Sequence, residues 1–217
     1  SYIFFIRNTM QFLSFPRSFQ DADITVNGKE YLDEALAKKR GVILVTGHFG
    51  VWEIMLAWFG LNQYSMLVVG QKQKNSGADT FVNKLRENAG IKMIPRKSSL
   101  EFMYEALARN NILTLASDQD AKNRGIFVKF FSLPASTPKG AGRFHLEYGS
   151  PLIFVTCHLE KPNNHVLDIL PVPTDSNSNI ESITQSFTLM LEKIITAYPK
   201  QYFWFHRRWK TKPPQTE

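Results

Sequence analysis

Short apolar runs rich in β-branched residues alternate with amphipathic segments along the first half of the sequence. The apolar runs cover residues 42–46, 64–69, 91–95 and 112–116, and the segments with helical spacing cover residues 51–59, 79–88 and 98–110. Strands that alternate with helices of about this length are typical of βαβ units. We therefore predict an α/β fold with a mainly parallel central sheet flanked by helices.

The remaining sequence extends this pattern. Helices are predicted over residues 2–15, 31–40, 143–148 and 180–198, and strands over residues 126–130, 151–159 and 165–171. The last of these strands is expected at an edge of the sheet. Because the chain has 217 residues and no internal repeat, we predict a single domain over residues 1–217.

The basic charge of the chain favours a polyanionic partner. Lysine and arginine number 26 against 19 acidic residues, which gives a net charge of +7. Nucleic acid, an anionic bilayer and a phosphorylated substrate would all suit this charge, although a merely soluble basic surface has the same composition. Since the sequence contains no recognisable nucleic-acid-binding module, nucleic acid is not an expected partner.

Several classes of chemistry lack their sequence signatures here. No histidine, cysteine or carboxylate spacing typical of a metal site occurs, and neither does a phosphate-binding loop or a dinucleotide fingerprint. We therefore expect no metal and no cofactor. A Gly-x-Ser-x-Gly elbow is also missing, which argues against an α/β hydrolase. The single cysteine, Cys157, lies inside a predicted strand and is interpreted as a core residue.

Polar side chains follow two of the predicted strands. His48 comes directly after the strand over residues 42–46, Glu53 lies five positions later, and Asp118 follows the strand over residues 112–116. In parallel sheets, reactive groups gather beyond the carboxyl ends of the strands. The Glu53 carboxylate could hold one imidazole nitrogen of His48 and leave the other as a proton acceptor. The alternative is structural, with His48 capping the helix and Glu53 facing solvent.

Four ordered blocks of the sequence resemble one known family. They are the segment 32–53 that contains His48 and Glu53, the basic segment 84–97, the segments 117–120, 127–131 and 135–140, and the terminal segment 204–210. The sequence is similar in these blocks to the late acyltransferases of bacterial lipid A biosynthesis, whose motif is a histidine, four residues and an aspartate or glutamate. The resemblance covers nearly the whole chain and implies an acyltransferase-like α/β fold.

The resemblance also implies an activity. A fatty acyl chain would pass from an acyl carrier protein thioester, or a coenzyme A thioester, to a hydroxyl of a lipid A precursor or related glycolipid. His48 would be the general base, oriented by Glu53, and no serine or cysteine nucleophile would be needed. The expected location is the cytoplasmic face of the bacterial inner membrane, on its anionic surface. The family's usual amino-terminal membrane helix is missing here, so the protein would be peripheral or anchored by a segment absent from this chain.

Four further residues are predicted to bind substrate. Arg86 matches an arginine of the family, and its planar donor fork suits a phosphate or a developing oxyanion, whereas the alternative is a solvated helix arginine. Asp118 would order Arg86 or bind the acceptor, unless it merely caps its loop. Arg207 and Arg208 would meet phosphates at the bilayer surface, unless they pair with acids while the neighbouring tryptophans pack.

Two other functions stay open at this point. One is acyl transfer to another membrane lipid. The other is a non-catalytic basic module that binds membrane surfaces, which the net charge of +7 and the basic residues between Lys72 and Lys97 would favour.

Overall fold

A seven-stranded central sheet organises the chain in the computed structural model, which describes residues 2–96 and 98–214. Lys97, the last residue of the basic segment 84–97, lies outside the described residues. The strands in chain order are β1 (Asp23–Asn27), β2 (Val42–Thr46), β3 (Met66–Gly70), β4 (Lys92–Pro95), β5 (Ile112–Ala116), β6 (Ile126–Phe130), β7 (Leu133–Thr137), β8 (Leu152–Lys161) and β9 (Asn164–Pro171).

The strand order confirms the predicted α/β class. Strands run across the sheet in the order β1-β9-β8-β2-β5-β3-β4, while β6 and β7 form a separate hairpin. Every pair in the large sheet is parallel except β8 with β9. All five residues of β2 are buried, as expected for a strand covered on both faces.

Helices cover both faces of this sheet. They are α1 (Tyr2–Leu13), α2 (Arg17–Gln20), α3 (Lys29–Ala37), α4 (Trp52–Leu61), α5 (Ser76–Asn88), α6 (Leu100–Ala108), α7 (Gly140–Tyr148) and α8 (Ile180–Ala197), with 3-10 turns at Lys122–Arg124 and Pro199–Gln201. Successive residues of a strand point to opposite faces. Accordingly, Val42 and Leu44 pack in the core beneath α3 and α4, whereas Ile43 and Val45 pack in the core beneath α6, α7 and α8.

Helix caps agree with the local sequence. Ser99 accepts a hydrogen bond from the Phe102 amide at the start of α6. At the start of α8, Asn179 and Ser182 form a reciprocal capping box. These caps satisfy amide groups that a helix cannot pair internally, and α6 and α8 begin within two residues of their predicted starts.

The prediction for the sheet edge was wrong. Strand β9, predicted at an edge over residues 165–171, lies between β1 and β8, and the edge position belongs to β1. The sequence of β1, with only Ile24 and Val26 as apolar residues facing inward, gave too weak a signal for a strand. Strand β7 was also missed because Pro134 suggests a loop; it pairs with β6 through a turn at Phe131 and Ser132, both of which have positive φ.

None of the helices within residues 2–96 and 98–214 is both long enough and apolar enough to cross a membrane.

Candidate active site

The loop after β2 is fixed at one glycine. Gly50 has φ of +62°, and a Cβ atom there would lie 1.8 Å from the carbonyl oxygen of Cys157, so only glycine fits. The Gly50 amide donates to the Gln201 carbonyl at 2.9 Å, and the next amide, that of Val51, donates to the Cys157 carbonyl at 2.8 Å. These bonds hold the loop that carries His48 against β8 and the terminal segment.

His48 and Asp118 form a hydrogen-bonded pair at the carboxyl edge of the sheet. The distance between His48 Nδ1 and Asp118 Oδ1 is 2.8 Å. The carboxylate is buried, with 2% of its side chain exposed, whereas 31% of the His48 side chain is exposed. Because a carboxylate can only accept a hydrogen bond, Nδ1 carries the proton, and Nε2 is left as the acceptor on the open side.

The electrostatics of this pair favour charge on both partners. Burial lowers the pKa of His48, but the charge and hydrogen bond of Asp118, with a smaller contribution from Glu53, outweigh it and raise the pKa above its ordinary value. Burial likewise raises the pKa of Asp118, and the charge and hydrogen bond of His48 bring this pKa below its ordinary value. Asp118 is therefore ionised near neutral pH and stabilises a proton that His48 accepts.

The partner of His48 differs from the prediction. Glu53 lies in the first turn of α4 and forms a two-point ion pair with Arg86 on α5, with Nε–Oε2 and Nη2–Oε1 distances of 3.1 and 2.5 Å. The imidazole nitrogen that Glu53 was expected to hold is bonded to Asp118 instead. The expectation that Asp118 orders Arg86 is wrong as well. Asp118 is bonded to His48, and Arg86 is paired with Glu53.

Aromatic side chains surround the imidazole. The ring centroids of Trp52 and Phe203 lie 5.6 and 6.0 Å from that of His48. The Phe203 amide also donates to the His48 carbonyl oxygen at 3.0 Å. Together with Asp118, these contacts leave the ring little freedom to rotate.

A cavity of about 660 Å³ opens beside His48. Its apolar wall is formed by side chains of α4, β3 and β4: Trp52, Met55, Leu56, Val68 and Met93. Arg86 and the exposed Lys72 and Lys74 line the same cavity, together with Gln119. An apolar wall with a few polar and cationic groups suits a ligand that has a long apolar part and an anionic or polar end.

Arg208, which was predicted to meet membrane phosphates, is buried within the protein. Arg208 is buried and donates to the Ser136 carbonyl at 2.7 Å and to the Thr137 hydroxyl, so it fastens the terminal segment to β7. The prediction that Arg208 meets phosphates at a membrane surface is therefore wrong. Arg207 is exposed, and its predicted contact with phosphates stays a prediction.

Sequence reasoning missed a residue of α1 that supports the site. Asn8 is the buried residue of this helix, and its Nδ2 donates to the Gly50 carbonyl at 3.0 Å. Phe5 of the same helix packs on Phe203 with ring centroids 5.3 Å apart. An asparagine on the inward face of an amphipathic helix was the available signal, because a buried amide needs a partner.

No group of three or more histidine, cysteine, aspartate or glutamate side chains in the described part of the chain is arranged to hold a metal ion.

The fold and the site together define a class: α/β proteins with a histidine–carboxylate pair at the carboxyl edge of a mainly parallel sheet, open to a partly apolar cavity. The chain belongs to the bacterial lipid A biosynthesis acyltransferase family, whose sequence model matches residues 1–211. This family is the one that the four sequence blocks indicated.

Several relatives are similar over most of the chain. A phosphatidylinositol mannoside acyltransferase of Mycobacterium tuberculosis (strain CDC 1551 / Oshkosh) is 24% identical over 191 residues, which is 86% of this chain and 60% of the relative. The lipid A biosynthesis lauroyltransferase of Escherichia coli (strain K12) is 29% identical over 194 residues, which is 87% of this chain and 62% of the relative. The lipid A biosynthesis palmitoleoyltransferase of the same strain is 29% identical over 195 residues, which is again 87% of this chain and 62% of the relative. The chain thus spans about three fifths of the length of these relatives.

Proposed function

We propose that the protein transfers a fatty acyl chain from a thioester donor, acyl carrier protein or coenzyme A, to a hydroxyl of a lipid A precursor or related glycolipid. Family membership supports acyl transfer, and the named relatives act on lipid A or on a mannosylated lipid. The observation that carries the proposal is the His48–Asp118 pair beside a cavity with an apolar wall.

In this proposal His48 is the general base. Its Nε2 takes the proton of the acceptor hydroxyl while the oxygen attacks the carbonyl carbon of the thioester. The new C–O bond forms, the C–S bond breaks, and the leaving thiolate takes the proton from the imidazolium. Asp118 remains ionised and stabilises the imidazolium between these steps.

No enzyme nucleophile is required for this direct transfer. The cysteine of the chain, Cys157, is buried in β8, and burial raises the pKa of its thiol far above the usual range. A thiol held neutral in the core is a poor nucleophile. In the proposed mechanism the acceptor oxygen attacks the donor itself, without a cysteine intermediate.

The larger cavity would receive the donor. The side chains of Met55, Leu56 and Met93 provide an apolar wall for the acyl chain, and burial of each methylene contributes about 0.8 kcal/mol. We keep Arg86 as a substrate-binding residue, because it lines this cavity while Glu53 fixes its position. Lys72 and Lys74 would attract an acidic carrier protein or a phosphorylated carrier arm.

The proposed place of action is the surface of an anionic membrane. An apolar row on the outer face of α1 is exposed to solvent and consists of Ile3, Ile6, Met10 and Leu13. The exposed cation Arg7 lies on the same helix, and the exposed Arg17 begins α2. An amphipathic helix with apolar and basic groups outward is suited to the lipid interface, and α1 lies directly on the loop that carries His48.

Kinetics of a histidine variant test the proposal. Purified wild type is incubated with lauroyl-acyl carrier protein or lauroyl-coenzyme A and with a tetra-acylated Kdo-lipid A precursor or a phosphatidylinositol mannoside. His48→Ala should reduce kcat by about 100-fold or more. His145→Ala is the matched control, because His145 lies in α7 and bonds to the Ser150 carbonyl.

Circular dichroism and thermal unfolding would first establish that both variants are folded. A folded His48→Ala protein with normal turnover would contradict the proposed role of His48. Binding to anionic vesicles without acyl transfer to any of these glycolipids would favour the non-catalytic membrane module instead.

A further inference from the structure

Two cavities meet at His48. Besides the cavity of about 660 Å³, a second one of about 230 Å³ includes His48 and Gln119 in its wall. Its remaining wall comes from the ends of β3 and β5, from Arg96 just after β4, and from the start of α7. A transfer reaction between two substrates needs both of them at the base, and the two cavities provide separate approaches to the same imidazole.

The smaller cavity differs in chemistry from the larger one. Its polar lining consists of Arg96, Ser117 and Gln119, which offer hydrogen-bond donors within a small space, and of the Asp120 carboxylate, which only accepts. Its volume falls below the range of about 300–1,000 Å³ that drug-sized ligands occupy, so it suits a small polar group and not an acyl chain.

Two side-chain donors in this cavity, Arg96 and Ser117, have no partner among the described residues. Arg96 is exposed and forms no ion pair with any residue of 2–96 or 98–214. Ser117 is 4% exposed, and no side-chain hydrogen bond within the described part of the chain uses its hydroxyl. Helix α7 also begins at Gly140, in the cavity wall, without a side-chain cap. Unsatisfied amides at a helix start add to the attraction for an anion.

The carboxylate in the wall, that of Asp120, faces the terminal segment through one of its oxygens. Asp120 Oδ2 accepts a hydrogen bond from the Thr211 hydroxyl at 2.9 Å, and the charge of Asp120 acts on the buried guanidinium of Arg208. Asp120 Oδ2 is thus bonded to the terminal segment, whereas Asp120 Oδ1 is buried and has no hydrogen-bond partner within the described residues. Arg96 remains as the cation that a ligand in the cavity would meet.

We propose that the smaller cavity is the headgroup subsite of the acceptor, that it binds a phosphorylated sugar, and that Arg96 binds the phosphate. This inference rests on the proposed acyl transfer, since it assigns the other cavity to the donor. A phosphate held by Arg96 would place the sugar against Ser117 and Gln119, with its acyl hydroxyl toward His48. Guanidinium and phosphate match in geometry, so the contact also discriminates between headgroups.

Steady-state kinetics with a matched pair of acceptors test this subsite. One glycolipid carries a phosphate monoester on its sugar and the other is the same lipid after dephosphorylation, with the donor thioester held in excess. Arg96→Gln should raise KM for the phosphorylated acceptor about tenfold or more, because a hydrogen bond to a charged group is lost. KM for the donor and for the dephosphorylated acceptor should stay unchanged.

Arg109→Gln is the matched control. Arg109 is also an exposed arginine, but it lies at the end of α6, outside the wall of this cavity. An increase in the donor KM, an equal effect on both acceptors, or no effect of Arg96→Gln would overturn the assignment.

A binding measurement separates this inference from the activity itself. Equilibrium dialysis with glucosamine 1-phosphate, glucosamine and inorganic phosphate needs no turnover. The wild type should retain glucosamine 1-phosphate in preference to the other two, and Arg96→Gln should lose this preference. Such a result without any acyl transfer would support the subsite and refute the proposed function. Acyl transfer with no preference for the sugar phosphate, or with equal retention of free phosphate, would refute the subsite alone.

Discussion

The ion pair between Glu53 and Arg86 gives the sharpest test of how the site is built. Only 10% of the Glu53 side chain and 17% of the Arg86 side chain are exposed. Removing one partner of a buried pair leaves the other charge uncompensated, which costs about 3–5 kcal/mol. Because this pair retains some contact with solvent, we expect Glu53→Gln to lower the free energy of unfolding by about 2–3 kcal/mol.

Urea denaturation of four proteins measures this effect. The wild type, Glu53→Gln, Arg86→Gln and the double variant form a double-mutant cycle, whose coupling energy should be about 1–3 kcal/mol. Catalysis should respond differently, since Glu53 does not hold the imidazole. Its charge raises the pKa of His48 less than that of Asp118 does, so Glu53→Gln should lower this pKa slightly and reduce kcat far less than His48→Ala.

One pattern would refute this reasoning. If Glu53→Gln left the unfolding curve unchanged but reduced kcat as strongly as Asp118→Asn, then Glu53 would act on His48 directly. The ion pair with Arg86 would then be unimportant for the fold, and the original assignment from sequence would be correct.

Two further predictions concern the supports of His48. Asp118→Asn should reduce the maximal kcat by about 100-fold or more, because the imidazole loses its orienting anion. Since Asp118 raises the pKa of His48 and the base acts unprotonated, the acid limb of the kcat–pH profile should move to lower pH; a shift to higher pH would contradict the account. Asn8→Ala should lower the free energy of unfolding in urea by about 1–3 kcal/mol, because the Gly50 carbonyl loses its side-chain donor. Asn8→Asp is the control and should be no more stable than Asn8→Ala, since a carboxylate cannot donate to that carbonyl, and full stability of either variant would contradict the contact.

The parts of the fold that follow from local sequence were predictable. The central strands β2 and β5 were predicted with their exact bounds, because β-branched runs buried on both faces have a clear signature. The position of β9 in the sheet was not predictable in the same way. Whether a strand lies at an edge depends on a partner elsewhere in the chain, and β1, its parallel neighbour, has a mostly polar sequence.

In the candidate site, too, local sequence predicted some features, whereas others depended on tertiary packing. His48 was recognisable because it directly follows a buried strand, and Arg86 because of the family block. Arg208 was misjudged because a basic residue among aromatic ones suggests an interface, whereas its hydrogen bonds to β7 come from a segment about 70 residues away. Local composition indicates the type of group that is present, and tertiary packing decides which way it faces.

The pairing of His48 with Asp118 depends on which strand lies beside β2 and in which register the two strands pair. Strands β2 and β5 are adjacent and parallel, with Thr46 opposite Ala116, and the ladder continues as the Ser117 amide donates to the Thr46 carbonyl at 2.9 Å. Counting two residues past each strand brings His48 level with Asp118. A shift of this register by one residue would turn the carboxylate to the opposite face of the sheet. The partner of His48 is therefore determined by strand order and register. The short distance in sequence between His48 and Glu53 gives no information about either.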